Sequence, residues 1–170
     1  MRVYLPGTVT LLRASIADGA VRPRSGVGFA VTDTLRAEYP GSDDEELEYL
    51  ALTDAARASL RLLSAELSAE PVSDNPALRV VIAADVARAT SYPQGDRAAV
   101  KLAEPVPWTD VAAVHIDGAD AADVVRAAVD AVDAADLGDL DAEFAVGEAE
   151  SRELAWYAPA EVSYLVEELS

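Results

Sequence analysis

Two stretches of nearly continuous apolar residues predict the centre of the fold. Residues 78–84 read LRVVIAA and residues 111–116 read VAAVHI. Apolar runs of this length, bounded by turn-forming residues, are typical of strands that are buried on both faces of a sheet. We therefore expect two interior strands that are neighbours or near neighbours in one sheet.

Four shorter stretches complete a predicted sheet of about six strands: residues 2–5, 26–32, 98–103 and 154–157. A helix capped by Thr8 and ended by Gly19 separates the first two of them. Strand, helix and strand at this spacing imply a right-handed crossover and a parallel pair. The expected fold class is α/β (α+β), with a mixed, partly parallel sheet covered by helices. A two-layer α+β sandwich is the alternative.

Helical spacing of apolar residues predicts a long helix in the middle of the chain. Ser42 and Glu45 form a capping box at its start, and the acidic run after them suits the positive end of a helix dipole. Its predicted buried stripe consists of Tyr49, Leu52, Ala56, Leu60, Leu63 and Leu67. Packing on the sheet explains this stripe, and a coiled-coil seam is the other interpretation of the spacing.

Two further helices are predicted in the carboxyl-terminal third. Asp117-Gly118 ends the strand at 111–116, and apolar residues then recur at helical spacing up to Val132. The last helix begins at Pro159. Between them, residues 137–147 are acidic and weakly patterned, which predicts no more than one helical turn around Phe144.

The length and composition indicate one domain over residues 1–170. Half of the residues are apolar, at 51%, and the turn-forming segment 71–76 is too short to divide two independent domains. No window has the apolar length of a membrane span, and the first residues lack a signal-peptide pattern, so we expect a cytoplasmic protein. The absence of cysteine excludes disulfides and thiolate metal sites.

The net charge of −18 is distributed unevenly along the chain. Residues 1–40 carry five Arg and three acidic residues, whereas residues 110–170 carry sixteen acidic residues and two Arg. Such a surface repels phosphate groups, so we expect no nucleic-acid binding and no binding to anionic membranes. An acidic half suits a protein partner with a basic surface, and a solvated face that maintains solubility is the simpler interpretation.

One candidate pocket follows from the predicted strand ends. His115, the single histidine, lies near the carboxyl end of its strand, with Asp117 on the same side. If the sheet is mostly parallel, the ends of several strands meet there. The candidate pocket therefore consists of His115, Asp117, Asp85, Glu153, Trp156 and Tyr157.

His115 and Asp117 each allow a structural and a functional interpretation. As a functional pair, the imidazole acts as a general base or metal ligand, and Asp117 orients it or binds a cation. As structural residues, Asp117 caps a helix and His115 is a largely buried, neutral core histidine with one hydrogen bond. We favour the structural interpretation, in which burial lowers the pKa of His115 below its unperturbed value.

The remaining motifs limit the chemistry. One histidine excludes mechanisms that need several imidazoles, and the nucleophile motif G-x-S-x-G is absent. The glycines at 26 and 28 lie before and inside a strand, which argues against a phosphate loop. Asp85, Asp117 and Glu153 could hold Mg²⁺ or Ca²⁺, but carboxylates are so abundant here that their presence carries little information. No metal site and no cofactor is predicted.

Five segments together resemble a known family: MRVYLP at 1–6, EELEYLAL at 45–52, VIAADV at 81–86, PVPWTDVAAVHID at 105–117 and ELAWYAPAEV at 153–162. The family comprises acidic actinobacterial proteins and is a domain of unknown function. Its members often place a histidine directly before the Glu-Leu pair, where this chain has Arg152. The resemblance spans nearly the whole chain and implies no reaction.

These observations lead to two hypotheses about function. The first is a non-enzymatic cytoplasmic binding or accessory protein that acts through its acidic carboxyl-terminal half or through the strand-end pocket. The second is an enzyme, or a metal-dependent protein that binds a small molecule, with its site around His115 and Asp117. The sequence does not identify a ligand, a partner or an oligomeric state.

Overall fold

The computed structural model describes residues 1–69, 74–92 and 94–169, so residues 71–73 of the predicted linker 71–76 lie outside the described residues. In these ranges the strands are Arg2–Gly7 (β1), Ala20–Val21 (β2), Val27–Phe29 (β3), Val80–Asp85 (β4), Thr90–Ser91 (β5), Ala99–Lys101 (β6), Val106–Pro107 (β7), Val111–Ile116 (β8) and Ala155–Tyr157 (β9). The α-helices are Val9–Asp18 (α1), Asp33–Glu38 (α2), Asp44–Leu67 (α3), Ala122–Asp136 (α4), Leu140–Glu150 (α5) and Val162–Glu168 (α6). Among these helices, none has the length and apolar content that a membrane span requires.

Seven of the strands form one sheet in the order β5-β6-β3-β1-β4-β8-β9, and β2 and β7 form a separate two-stranded ribbon. The two apolar strands β4 and β8 are adjacent in the interior of the sheet, with Ile82 opposite Val114. This confirms the prediction that both are central strands. The mixed α+β character of the fold is also as expected.

The prediction of a partly parallel sheet is wrong for the described strands. Each of their pairings is antiparallel, and β1 pairs directly with β3, with Tyr4 opposite Phe29. The error comes from the two residues of β2, which follow α1 and pair with β7. Because the chain forms β2 before it enters β3, β3 runs antiparallel to β1. The expected right-handed crossover between two parallel strands therefore does not form.

Helices cover both faces of the sheet, so the alternative two-layer sandwich is not confirmed. On one face, Val9 and Leu12 of α1 and Val162 of α6 are buried with apolar residues of the sheet. On the other face, the first half of α3 packs against the strands through Leu47 and alanines. The second half of α3 extends beyond the sheet and packs against α4 and α5.

The predicted stripe of α3 is correct except at Tyr49, and Leu52 is partly buried against the sheet. Leu60 and Leu63 are buried, but Tyr49 is exposed and the buried positions before it include Leu47, with Ala51 and Ala55 after it. Small side chains let the helix lie close to the sheet, which leaves no room for a tyrosine there. The cap also differs by one residue, since Asp43 rather than Ser42 accepts the hydrogen bond, from the amide of Glu46.

Residues 137–147 are far more helical than predicted, because they include most of α5. Gly138 adopts a left-handed conformation with a φ of 95° and ends α4, and Asp139 caps α5 by accepting from the amide of Ala142. The buried side of α5 consists of Ala142, Val146 and Ala149. Alanine differs little in hydrophobicity from its polar neighbours, so the helical spacing of these buried residues does not stand out in the sequence. Phe144 is exposed to solvent and does not contribute to the core.

Replacement of Leu63 by alanine should lower the free energy of unfolding by about 2–5 kcal/mol, because its side chain is 2% exposed between α3 and the α4–α5 pair. Tyr49→Ala on the exposed side of α3 is the control, with an expected loss under about 0.5 kcal/mol. Chemical denaturation measures both values. Equal losses in the two variants would contradict this assignment of the buried face.

Candidate functional site

A cavity of about 540 Å³ opens on one side of the sheet. It lies between α3, the face of β8 that carries His115, and the segment after α5. Its charged and polar lining includes Arg57, Arg79, Arg97, Arg152 and His115 together with the carboxylates of Asp54, Glu150 and Glu153, and its apolar lining includes Tyr49, Leu52 and Leu154. The cavity therefore places four arginines, three carboxylates and one imidazole beside an apolar wall.

His115 lies on β8, where it is opposite Val81 of β4 and Trp156 of β9. The residue is half-buried, and its pKa is lowered by burial and, less strongly, by the positive charge of Arg2. This direction is the one expected for the structural interpretation. The expected hydrogen bond is not found, however, because the ring makes none with another described residue.

The ring nitrogens of His115 are therefore not sealed inside the protein. Among the described residues, no fully buried side-chain nitrogen or oxygen lacks a hydrogen-bond partner. Since the imidazole has no such partner, its nitrogens must retain contact with solvent through the cavity. A half-buried imidazole in this state can accept or donate a hydrogen bond to a bound molecule.

Asp117 does not cap the helix after it, so this interpretation is wrong, and no hydrogen bond joins it to His115 among the described residues. Its carboxylate accepts two hydrogen bonds from the guanidinium of Arg79, at 2.9 and 2.7 Å, and one from the backbone amide of Arg79, at 2.8 Å. Both side chains are buried, with exposed fractions of 3% for Arg79 and 0% for Asp117. The same guanidinium donates to the carbonyl oxygen of Arg152, at 2.9 Å.

The remaining predicted site residues are only partly brought together. Glu153 lines the cavity, and Trp156 is next to His115 across the β8–β9 pair but is largely exposed. Tyr157 packs against the apolar cluster on the other face of the sheet. Asp85 lies at the opposite end, beside Arg2, whose hydrogen bond lowers the pKa of this carboxyl group. The strand ends do not converge as predicted because the strands are antiparallel.

Sequence reasoning missed the arginines of the cavity. Arg57 donates hydrogen bonds to three carboxylates, those of Asp136, Glu143 and Glu150, and it lowers the pKa of Glu143. Arg97, which also lines the cavity, pairs with Asp54 at 3.1 Å. These partners are distant in sequence, so no local pattern points to them.

Arg152 is the cavity arginine with the weakest internal pairing. Its guanidinium lies 3.8 Å from an oxygen of Asp120, and both side chains are well exposed. It lines the cavity together with His115. Among the described residues, no group of three or more histidine or carboxylate side chains is arranged to hold a metal ion.

Fold and cavity define an α+β protein with an antiparallel sheet and one half-buried histidine beside a cluster of arginines. The chain belongs to DUF6912, a family of unknown function whose sequence model matches residues 1–166. This finding confirms the expected relationship with a domain of unknown function. No curated protein matches the chain, and no solved structure matches it either.

Loss of one partner of the Arg79–Asp117 pair should be strongly destabilising. Arg79→Met leaves a buried carboxylate without its counter-charge, and we expect it to cost about 3–5 kcal/mol of unfolding free energy. The double variant Arg79→Met/Asp117→Leu should cost less than this single variant, because it leaves no isolated charge. Arg2→Met, which removes an exposed pair with Asp85, is the control and should cost under about 1 kcal/mol. A double variant no more stable than Arg79→Met would contradict this explanation.

The imidazole of His115 should titrate below 6.5, its unperturbed pKa, because burial disfavours its charged form. As the pH falls through about 6.5, the unfolded chain takes up the proton first, so His115 destabilises the fold in acid. Titration of the single imidazole by NMR measures this pKa. From about pH 8 to about pH 5, the stability of the wild type should also fall relative to His115→Gln. A pKa above 6.5 would contradict the assigned environment.

Proposed function

We propose that the protein is a non-enzymatic binding protein whose cavity holds a small anionic molecule next to His115. One observation carries this proposal: a half-buried imidazole that makes no hydrogen bond with another described residue lies on the wall of a cavity of about 540 Å³. Cavities of roughly 300–1,000 Å³ are the usual size of small-molecule sites. An unpaired polar group inside such a cavity is a typical anchor for a ligand.

The lining indicates the chemical class of that molecule. Arg57 and Arg97 are held by protein carboxylates, whereas Arg152 has only a long, exposed contact with Asp120. The guanidinium of Arg152 can therefore turn to a bound carboxylate or phosphate, which it matches with two parallel hydrogen bonds. His115 supplies a further hydrogen bond, and Tyr49, Leu52 and Leu154 can cover an apolar part of the ligand.

A binding role fits the arrangement better than catalysis. The enzyme hypothesis places Asp117, Asp85, Glu153 and Tyr157 around His115. Of these, Glu153 lines the cavity with His115, but Asp117 is bound to Arg79, Asp85 is at the other end of the sheet and Tyr157 is on its other face. Among the described residues, no carboxylate is hydrogen-bonded to the imidazole to raise its basicity. We also propose that the protein is cytoplasmic, in keeping with its acidic, cysteine-free composition.

Anion binding can be tested through the single histidine. NMR spectra of the imidazole and the backbone amides should shift saturably on addition of phosphate or benzoate, with the largest changes at residues that line the cavity. Arg152→Ala and His115→Ala should each weaken the binding about tenfold, the loss expected for one charge-assisted contact. Arg126→Ala, which removes an exposed arginine of α4, is the matched control.

Two outcomes would contradict this function. If neither anion shifts the signals of His115, the cavity does not bind molecules of this class. If Arg126→Ala weakens the effect as much as Arg152→Ala, the anions bind non-specifically to exposed arginines. Chemical conversion of an anion that depends on His115 would instead favour the enzyme hypothesis.

A further inference from the structure

The hairpin of α4 and α5 exposes an apolar surface at its tip. Leu137, Leu140 and Phe144, which we call the hairpin patch, are 90%, 84% and 70% exposed. Among the described residues, seven large hydrophobic side chains are exposed, and these three lie within eight consecutive positions. Isolated exposed apolar residues are common, but a contiguous group of this kind often marks an interaction site.

Helix periodicity places the hairpin patch away from the core. Leu140 and Phe144 are four residues apart, so their side chains are neighbours along one face of α5. That face is opposite to the one that buries Ala142, Val146 and Ala149. Leu140 and Phe144 therefore form a ridge on the outer face of α5, with the exposed Leu137 in the turn before it. The packing of the protein itself does not require these side chains.

Carboxylates border this ridge on both sides. On the helix surface, Asp141 and Glu148 flank Phe144 on one side, and Glu143 and Glu150 flank it on the other. Residues 130–150 carry eight acidic residues and no Lys or Arg. Arg57 holds Glu143 and Glu150 from the direction of α3, so the charges on the other side of the patch remain without a described ion pair.

We propose that the hairpin patch is a docking surface for a basic amphipathic helix of another protein. Apolar side chains of such a helix would cover Leu137, Leu140 and Phe144, and its Lys and Arg residues would meet the bordering carboxylates. A second copy of this chain fits poorly, since it would bring eight more acidic residues of its own hairpin to the same contact.

The hairpin is held in place before any partner binds. Gly138 allows the tight turn between the helices, and Arg57 ties Asp136 of α4 and Glu143 of α5 to α3. A patch on such a fixed support loses little conformational entropy on binding. The inference does not depend on a ligand in the cavity, because Leu137, Leu140 and Phe144 do not line that cavity.

A synthetic peptide tests the proposal directly. The probe is a helical peptide of about 14 residues, or four turns, with Leu on one face and Lys on the other. The control is an isomer of the same composition in which the Leu residues are scattered around the helix. Calorimetry should show saturable binding of the amphipathic peptide, and amide NMR shifts should concentrate on residues 133–148.

Variants of the patch separate apolar docking from charge attraction. Leu140→Ala/Phe144→Ala should weaken binding of the amphipathic peptide about tenfold or more, as expected for the loss of two central contacts. Tyr164→Ala removes a side chain that is similarly exposed, at 72%, on α6, and it should change the affinity less than about twofold. Circular dichroism confirms that each variant folds.

Three results would overturn the proposal. The first is equal affinity for the scattered isomer, which would reduce the interaction to non-specific charge attraction. The second is an equal loss in Tyr164→Ala and in the patch variant. The third is self-association of the chain that Leu140→Ala/Phe144→Ala abolishes, which would make a second copy the occupant.

Discussion

The buried pair of Arg79 and Asp117 connects the parts of this molecule on which the site depends. It joins the residue before β4 to the residue after β8, and both side chains are sealed from solvent. Two charges so deeply buried are tolerated only when hydrogen bonds satisfy them. Asp117 receives three hydrogen bonds from Arg79, and Arg79 also holds the carbonyl of Arg152. The Arg79–Asp117 pair thus fixes the backbone of Arg152, which forms part of the cavity wall.

Only those features of the sheet that depend on short stretches of sequence could be predicted. β4 and β8 were found because continuous apolar residues are required where a strand is covered on both faces. The direction of β3 relative to β1 was predicted wrongly, since it depends on a two-residue strand, Ala20–Val21, that no pattern distinguishes from a loop. α5 was missed for a related reason: its buried residues are mostly alanines, whose contrast with polar neighbours is small.

The residues of the candidate site also fall into those that local sequence patterns predict and those that they do not. His115 and Glu153 were expected in a pocket and do line the cavity, because strand position is readable from the sequence. Arg79 was passed over inside an apolar stretch, and its partner lies 38 residues away in the chain. Contacts over such a separation leave no trace in the spacing of a single sequence. For the same reason, the role of Asp117 was mistaken for that of a cap or a ligand.

The acidity of the chain has two separate consequences in the folded protein. On the inner side of the α4–α5 hairpin, Arg57 and Arg61 form ion pairs with carboxylates. Their hydrogen bonds to Asp136 lower the pKa of this carboxyl group. On the outer side, they surround exposed apolar residues and remain available to a partner. Arg57 itself lines the cavity and binds Glu150 at the end of α5. One arginine therefore supports both proposed binding surfaces, because it holds the hairpin in place while forming part of the cavity wall.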